Sequence, residues 1–371
     1  MFDNASYTRE TSIIHYFVHQ TNFYIQQKLF TPKEKLTQTE IDLTNKIIKS
    51  PTNTTQPTTN LYIFIIESLE SWVISQHTTP NLYNFIENNQ NILYADKIID
   101  QTKKGRSADG QMIINTGLLP IKDGATCYRF PNNVYPSLSK LYNNTCNIIP
   151  GEQNVWNQKQ MNNAYKIDNM ISSTWDDMHS ITKFCNIYKD FDYAMILTMS
   201  THAPFQAYAN KTNLKMPDNM PQYMANYIKS FNYTDSCMKQ VFSRIQTDSI
   251  LKKSTIIITS DHNTFSPNKR NEFYEYSQAN NLDYKPNNTF CPLIIYSPNI
   301  PQKTIIKDTI YQMDIYPTIL NLIGCENYYW QGLGTNILNT QKLNNRSISP
   351  NDASNLSNKL IINNYFTQIE K

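Results

Sequence analysis

Leu61-Tyr-Ile-Phe-Ile-Ile66 is an unbroken apolar run that ends in Glu67, and Ser254-Thr-Ile-Ile-Ile-Thr-Ser260 ends in the same way in Asp261-His262. Runs this short, with no polar alternation, read as strands buried on both faces. Two more follow the pattern, at 193–199 and 290–296. Helical periodicity lies between them, over Thr79–Asn88, Asp109–Thr116, Tyr223–Thr247 and Gln312–Leu322. Strand and helix in alternation predict an α/β domain with a largely parallel central sheet flanked by helices. In such sheets ligands bind beyond the carboxyl ends of the strands. Glu67, the Ser200–Phe205 loop and Asp261-His262 all fall there.

Outward from this framework, residues 1–58 read as an arm and linker. They hold a helical patch from Ile13 to Phe30 and the polar stretch Ser50-Pro-Thr-Asn-Thr-Thr-Gln-Pro-Thr-Thr59. Residues 59–340 form the expected catalytic domain, with a small C-terminal subdomain from about 291, and 341–371 a C-terminal tail. At 371 residues the chain has room for one large core. Its 33 basic and 30 acidic residues are scattered, which speaks against a nucleic-acid partner. No apolar stretch reaches transmembrane length, and the opening Met1-Phe-Asp-Asn-Ala-Ser-Tyr-Thr8 reads as mid-protein. The six cysteines contain no Cys-x-x-Cys, against a zinc ribbon or thioredoxin-like motif. Cys291 and Cys325 read as core residues, while Cys127 and Cys146 are the pair best placed for a disulfide in an oxidising compartment.

An acid directly after a buried strand is costly unless paired or metal-bound, so Glu67 is either a ligand or an exposed strand end, with Glu70 an equally acidic neighbour. Asp261-His262 offers adjacent oxygen and imidazole ligands, the alternative being a loop salt bridge. Gly105-Arg106-Ser107-Ala108-Asp109-Gly110 brings a hydroxyl to the start of a helical stretch. Ser107 is therefore either a simple helix cap or a nucleophile. No histidine lies near it in sequence, so metal coordination is the more economical activation. His202, in Thr198-Met-Ser-Thr-His-Ala-Pro-Phe205, can ligate metal, contact a phosphate or protonate a leaving group.

Taken in order, Ile66-Glu67-Ser68-Leu69-Glu70-Ser71-Trp72, Gly105–Gly110, Asn115-Thr-Gly-Leu-Leu-Pro120, Ser200-Thr-His-Ala-Pro-Phe205, Ser260-Asp261-His262 and Asp314-Ile-Tyr-Pro-Thr318 resemble the lipoteichoic acid synthase group of the alkaline phosphatase and sulfatase superfamily. The resemblance spans about residues 60–340 and implies an alkaline-phosphatase-like fold. It implies one divalent cation, Mn2+ first and Mg2+ or Zn2+ otherwise, held by Glu67, Ser107, Asp261 and His262. Ser107 stands where the family has a threonine nucleophile, and His202 matches a substrate-contacting histidine. Trp156-Asn157-Gln158 is similar to the family's Trp-Asn-Arg element, with Gln158 replacing the headgroup-binding arginine. Glu152 and Arg106 are expected to shape the same pocket.

The activity so implied is transfer of a phosphoglycerol group from a phospholipid donor, through a covalent phospho-serine, to a hydroxyl of a glycan or lipid. It further implies membrane attachment through an N-terminal transmembrane segment not in this sequence, on the extracytoplasmic face of a bacterial cytoplasmic membrane. The alternatives are a phosphoethanolamine transferase, a phosphodiesterase, and an inactive glycan- or headgroup-binding module. Formylglycine sulfatases are excluded, since Ala108-Asp109-Gly110 follows Ser107 in place of x-Pro-x-Arg. No histidine follows His262, which argues for one metal and not two.

Overall fold

A computed structural model describes residues 34–49, 56–152, 154–282, 284, 289–343 and 345–369. The helical patch expected at Ile13–Phe30 lies outside the described residues, as does most of the polar stretch after it. All four apolar runs are strands: β1 (Leu61–Ile66), with β2 (Ile92–Ile99), β3 (Thr145–Pro150) and β4 (Asn169–Ser173) following, then β5 (Tyr193–Leu197), β6 (Thr255–Ser260) and β7 (Phe290–Tyr296). Two short strands, β8 (Thr304–Ile306) and β9 (Ile310–Tyr311), complete one sheet in the order β4-β3-β5-β1-β6-β7-β2-β8, with β9 also on β2. Pairing is parallel throughout except at β7, which runs against both β6 and β2.

The sheet is buried on both faces, and β1 shows why its sequence lacks alternation. Leu61, Ile63 and Ile65 enter one core, and Tyr62, Phe64 and Ile66 enter the other. The first core is closed by α1 (Gln38–Ile47), α3 (Ser107–Thr116), α8 (Ile315–Leu322) and α9 (Pro350–Ile362), through residues such as Ile47, Ile113, Ile319 and Leu356. The second is closed by α2 (Pro80–Asn88), α5 (Asp177–Ile187) and α6 (Gln222–Thr247), where Phe85, Phe184 and Phe231 are buried. The remaining helices that matter below are α4 (Gln158–Tyr165) and α7 (Pro267–Ala279). Among the described residues no helix is long and apolar enough to cross a membrane.

Two features depart from the sequence reading. Phe290–Tyr296, at the start of the expected C-terminal subdomain, is an inner strand of the main sheet, and α9 packs on the same core as α3. The Cys127–Cys146 disulfide is not formed: all six cysteines are free and buried. Cys127 belongs to the core on the α3 face, and Cys146 to the opposite one, so the sheet separates them.

Candidate active site

Parallel pairing puts the ends of β1, β5 and β6 at one edge, and register fixes who meets whom there. Ile65 pairs with Leu197 and with Thr259, and Ile66 with Ser260, so the next residues, Glu67 and Asp261, leave the sheet side by side. β2 runs parallel to them and feeds the loop that delivers Ser107 at the first turn of α3. Glu67, Asp261 and His262 are all buried, and each offers a ligand atom within 4.8 Å of the others. Glu67 Oε1 and Asp261 Oδ2 each lie 3.5 Å from His262 Nε2.

The Ser107 hydroxyl joins this cluster, donating to Glu67 Oε2 at 2.9 Å and lying 3.4 Å from His262 Nε2. The capping alternative therefore fails on geometry. Arg106 occupies the N-cap position, no side chain caps the helix, and the Ser107 hydroxyl is bonded to Glu67 instead. Gly110, one turn on, lets α3 lie against β6: a Cβ there would meet the Asp261 carbonyl oxygen at 2.6 Å.

The surrounding hydrogen bonds aim each donor inward. Backbone N–H groups of Ser68 and His262 both donate to Asp261 Oδ1 at 2.8 Å, leaving Oδ2 toward the histidine. His262 Nδ1 lies 2.8 Å from the Asn263 carbonyl oxygen; with Nδ1–H donating to that oxygen, Nε2 keeps its lone pair. Ser68 Oγ donates to Glu67 Oε1 at 2.8 Å, and Thr201 Oγ1 to the Glu67 carbonyl at 2.6 Å. Burial, and then the Asp261 carboxylate beside it, push Glu67 well above the ordinary carboxyl range. Burial also opposes ionisation of Asp261, but His262 and the donated hydrogen bonds hold it below its ordinary value. Two buried carboxyls and an imidazole, short of positive charge, form a donor set that fits a divalent cation.

The other candidates are less tightly gathered. Gln158 is buried and donates to Gln111 Oε1 at 3.2 Å, and Gln111 Nε2 donates to the Ser107 carbonyl at 3.3 Å. Trp156, half-buried with φ of 51°, faces Tyr128 at 5.9 Å. His202 is exposed beside Trp175 and reaches the cluster only through its neighbour Thr201. Arg106, exposed with φ of 45°, lays its guanidinium 3.1 Å from the Asn263 carbonyl oxygen and 3.4 Å from His262 Nδ1. Glu152 is exposed, and no described hydrogen bond ties its carboxylate to the cluster.

Sequence reasoning missed Gln111, Gln312 and the pair Glu70–Arg270. Gln312 Nε2 donates to the Asp261 carbonyl at 2.6 Å from fifty-one residues away. Its only sequence signal is its place two residues before the Asp314-Ile-Tyr-Pro-Thr318 element.

The model of the sulfatase family matches residues 131–325, more than half of the chain. Lipoteichoic acid synthase 2 of Bacillus subtilis (strain 168) is 24% identical over 310 residues, covering 76% of this chain and 47% of that protein. The chain spans about half the length of the curated relatives it matches. Among solved structures, the lipoteichoic acid synthase LtaP from Listeria monocytogenes aligns with a TM-score of 0.66 at 20% identity, covering 81% of each chain. Streptococcus pyogenes phosphoglycerol transferase GacH, in complex with sn-glycerol-1-phosphate, aligns with a TM-score of 0.56 at 16% identity, covering 88% of this chain and 90% of its own. These likenesses confirm an alkaline-phosphatase-like α/β fold.

Proposed function

From the premise that this chain belongs to the sulfatase family, we propose that it is a metal-dependent phosphoglycerol transferase with Ser107 as nucleophile. The observation that carries the reading is the Ser107 hydroxyl at the start of α3, bonded to Glu67 and next to His262. Glu67, Asp261, His262 and Ser107 would hold one divalent cation, Mn2+ before Mg2+ or Zn2+. When bound, that ion lowers the pKa of the serine hydroxyl and offsets negative charge on phosphorus-bound oxygens.

The chain's own residues do the rest. Ser107 Oγ attacks the phosphorus of a phospholipid headgroup in line, its P–O bond forming as the bond to the diacylglycerol oxygen breaks. The serine proton starts on Ser107 Oγ, where it is donated to Glu67 Oε2, and ends, in net, on the departing diacylglycerol oxygen. First-turn amides of α3 and the helix dipole favour the anionic phosphoryl group. An acceptor hydroxyl from a glycan or lipid then attacks the phospho-serine and returns the proton to Ser107. His202, Trp156, Gln158, Arg106 and Glu152 are assigned to the substrate side. A domain with this activity would work on the extracytoplasmic face of a bacterial cytoplasmic membrane.

A second reading, phosphoethanolamine transfer, is favoured by one observation: Gln158 and Gln111 form an uncharged pair where the resemblance expects an arginine. Intact-protein mass after incubation with Mn2+ and phosphatidylglycerol or phosphatidylethanolamine vesicles separates them. A glycerophosphate adduct that disappears in Ser107→Ala is expected. A phosphoethanolamine adduct would sink the first reading, and no adduct from either lipid would sink the covalent mechanism.

A further inference from the structure

Glu70 is a fully buried carboxylate that the proposed chemistry does not use. It lies three residues after Glu67, yet it faces away from the cluster and toward α7. Arg270, itself 6% exposed, grips it through both guanidinium arms, Nη1 to Oε2 and Nη2 to Oε1, each at 2.8 Å. The same two oxygens accept from the Thr264 backbone N–H at 3.1 Å and the Trp72 indole N–H at 2.8 Å. Thr264 is two residues past His262. One carboxylate thus ties the segment carrying Glu67 to the segment carrying Asp261-His262.

The turn between Glu67 and Glu70 is held as firmly from behind. Ser68 has a φ of 60°, a region that L residues rarely enter. Tyr227 of α6 donates its hydroxyl to the Ser68 carbonyl at 3.0 Å and accepts the Glu70 N–H at 3.1 Å. Trp72 stacks on the same tyrosine ring at 5.2 Å. The Glu70 side chain has little freedom, and its partners set where the loop after β6 sits.

A buried ion pair is a poor device for stability alone, because desolvation offsets most of its Coulomb gain. A bidentate pair is well suited to fixing distance and angle. We propose that Glu70 and Arg270 are positioning residues that set the spacing of the cation ligands, Glu67 on one segment and Asp261-His262 on the other. The inference rests on the reading of that cluster as a metal site. Uncharged replacements of similar volume keep the packing and remove the grip, so the folded state survives while the ligands lose their fixed spacing.

The experiment titrates Mn2+ alone into wild type and the Glu70→Gln/Arg270→Met double variant, by calorimetry and by the electron paramagnetic resonance spectrum of the bound ion. Circular dichroism and melting in chelator report the fold. The expected result is one bound Mn2+ in wild type, and about a 10-fold or greater loss of affinity with an altered spectrum in the variant, the scale seen when outer partners of metal ligands are changed. Equal affinity and an unchanged spectrum would overturn the positioning role, even if melting falls. No Mn2+ bound by wild type overturns the metal reading and this inference with it. Arg270→Lys keeps the charge and loses the fork. Should the double variant not fold, an unweakened Mn2+ affinity in Arg270→Lys overturns the proposal, and a weakened one supports it.

Discussion

Replacing Glu67 by glutamine should alter the response to divalent cations far more than the fold. Glu67 and Asp261 offer oxygens within 4.8 Å of one another, out of contact with water. Two unit charges at that distance repel by about 3 to 4 kcal/mol at an effective dielectric of ~20. The amide removes that repulsion and still reaches the hydroxyls of Ser68 and Ser107, now 2.8 and 2.9 Å from the carboxylate. Without metal much of that repulsion is already relieved, because burial and Asp261 push Glu67 well above the ordinary carboxyl range and it holds its proton. In chelator, then, Glu67→Gln should melt at or slightly above wild type. With Mn2+ at one hundred times its Kd, wild type gains about 2.7 kcal/mol from linkage. Unfolding entropy of about 2.1 cal/mol/K per residue, taken over the whole chain, amounts to ~0.8 kcal/mol/K, so the gain raises the Tm by about 3 to 4 °C. The variant, lacking one anionic ligand, should rise by less than about 1 °C under the same linkage. Scanning calorimetry in chelator and in Mn2+ reads both shifts. An equal rise in the two proteins, or a variant that melts many degrees lower in chelator, would refute the reasoning.

Gly110→Ala should cost about 1–3 kcal/mol, because the new methyl meets Asp261 backbone atoms that cannot swing aside; urea melts check the loss, and a neutral result would show α3 free to move. Arg346 holds the buried Asp314 carboxylate through two bonds of 2.6 and 2.7 Å. Arg346→Ala, which leaves that charge unpaired, should cost about 3–5 kcal/mol, with partial recovery on adding Asp314→Asn. Burial pushes Asp109 from its ordinary 3.8 up to about 6. The folded chain therefore keeps a proton there that the unfolded chain has released, and this carboxyl makes stability fall as pH rises through that window. Asp109→Asn should flatten the slope of urea midpoint against pH, and an unchanged slope would count against the shift.

How far the sequence could be read follows from what each residue's position depends on. The strands were legible because burial on both faces leaves no charged or amide side chain in Leu61–Ile66 or Thr255–Ser260, only the hydroxyls of Tyr62, Thr255, Thr259 and Ser260. Direction was not, since an apolar run carries no arrow, and β7 is antiparallel to its neighbours. Cys127 and Cys146 looked like partners because loop-like surroundings say nothing about which side of a sheet a residue faces. Ser107 was undecidable from local sequence, because a cap and a nucleophile both want a hydroxyl at a helix start. Its Oγ direction, toward Glu67, is a tertiary fact. Arg270 was invisible for the same reason, being paired two hundred positions from Glu70.

The same distinction explains why the proposed cation ligands converge so much better than the residues proposed for the substrate side. Glu67 and Asp261 are each one residue past a register pair, Ile66 with Ser260, so the sheet's hydrogen bonds themselves set their approach. Trp156 and Arg106 sit on turns with positive φ, and His202 and Glu152 on exposed loops. Loops of that kind vary without disturbing the core. Gln158 is the exception, buried at the start of α4 with its amide on Gln111. An arginine at 158 would have to displace Gln111, which in turn holds the carbonyl of Ser107. If position 158 meets the headgroup as proposed, its recognition is a property of positions 111 and 158 together, and a charge placed there by one substitution would press on Gln111 and through it on Ser107, the proposed nucleophile.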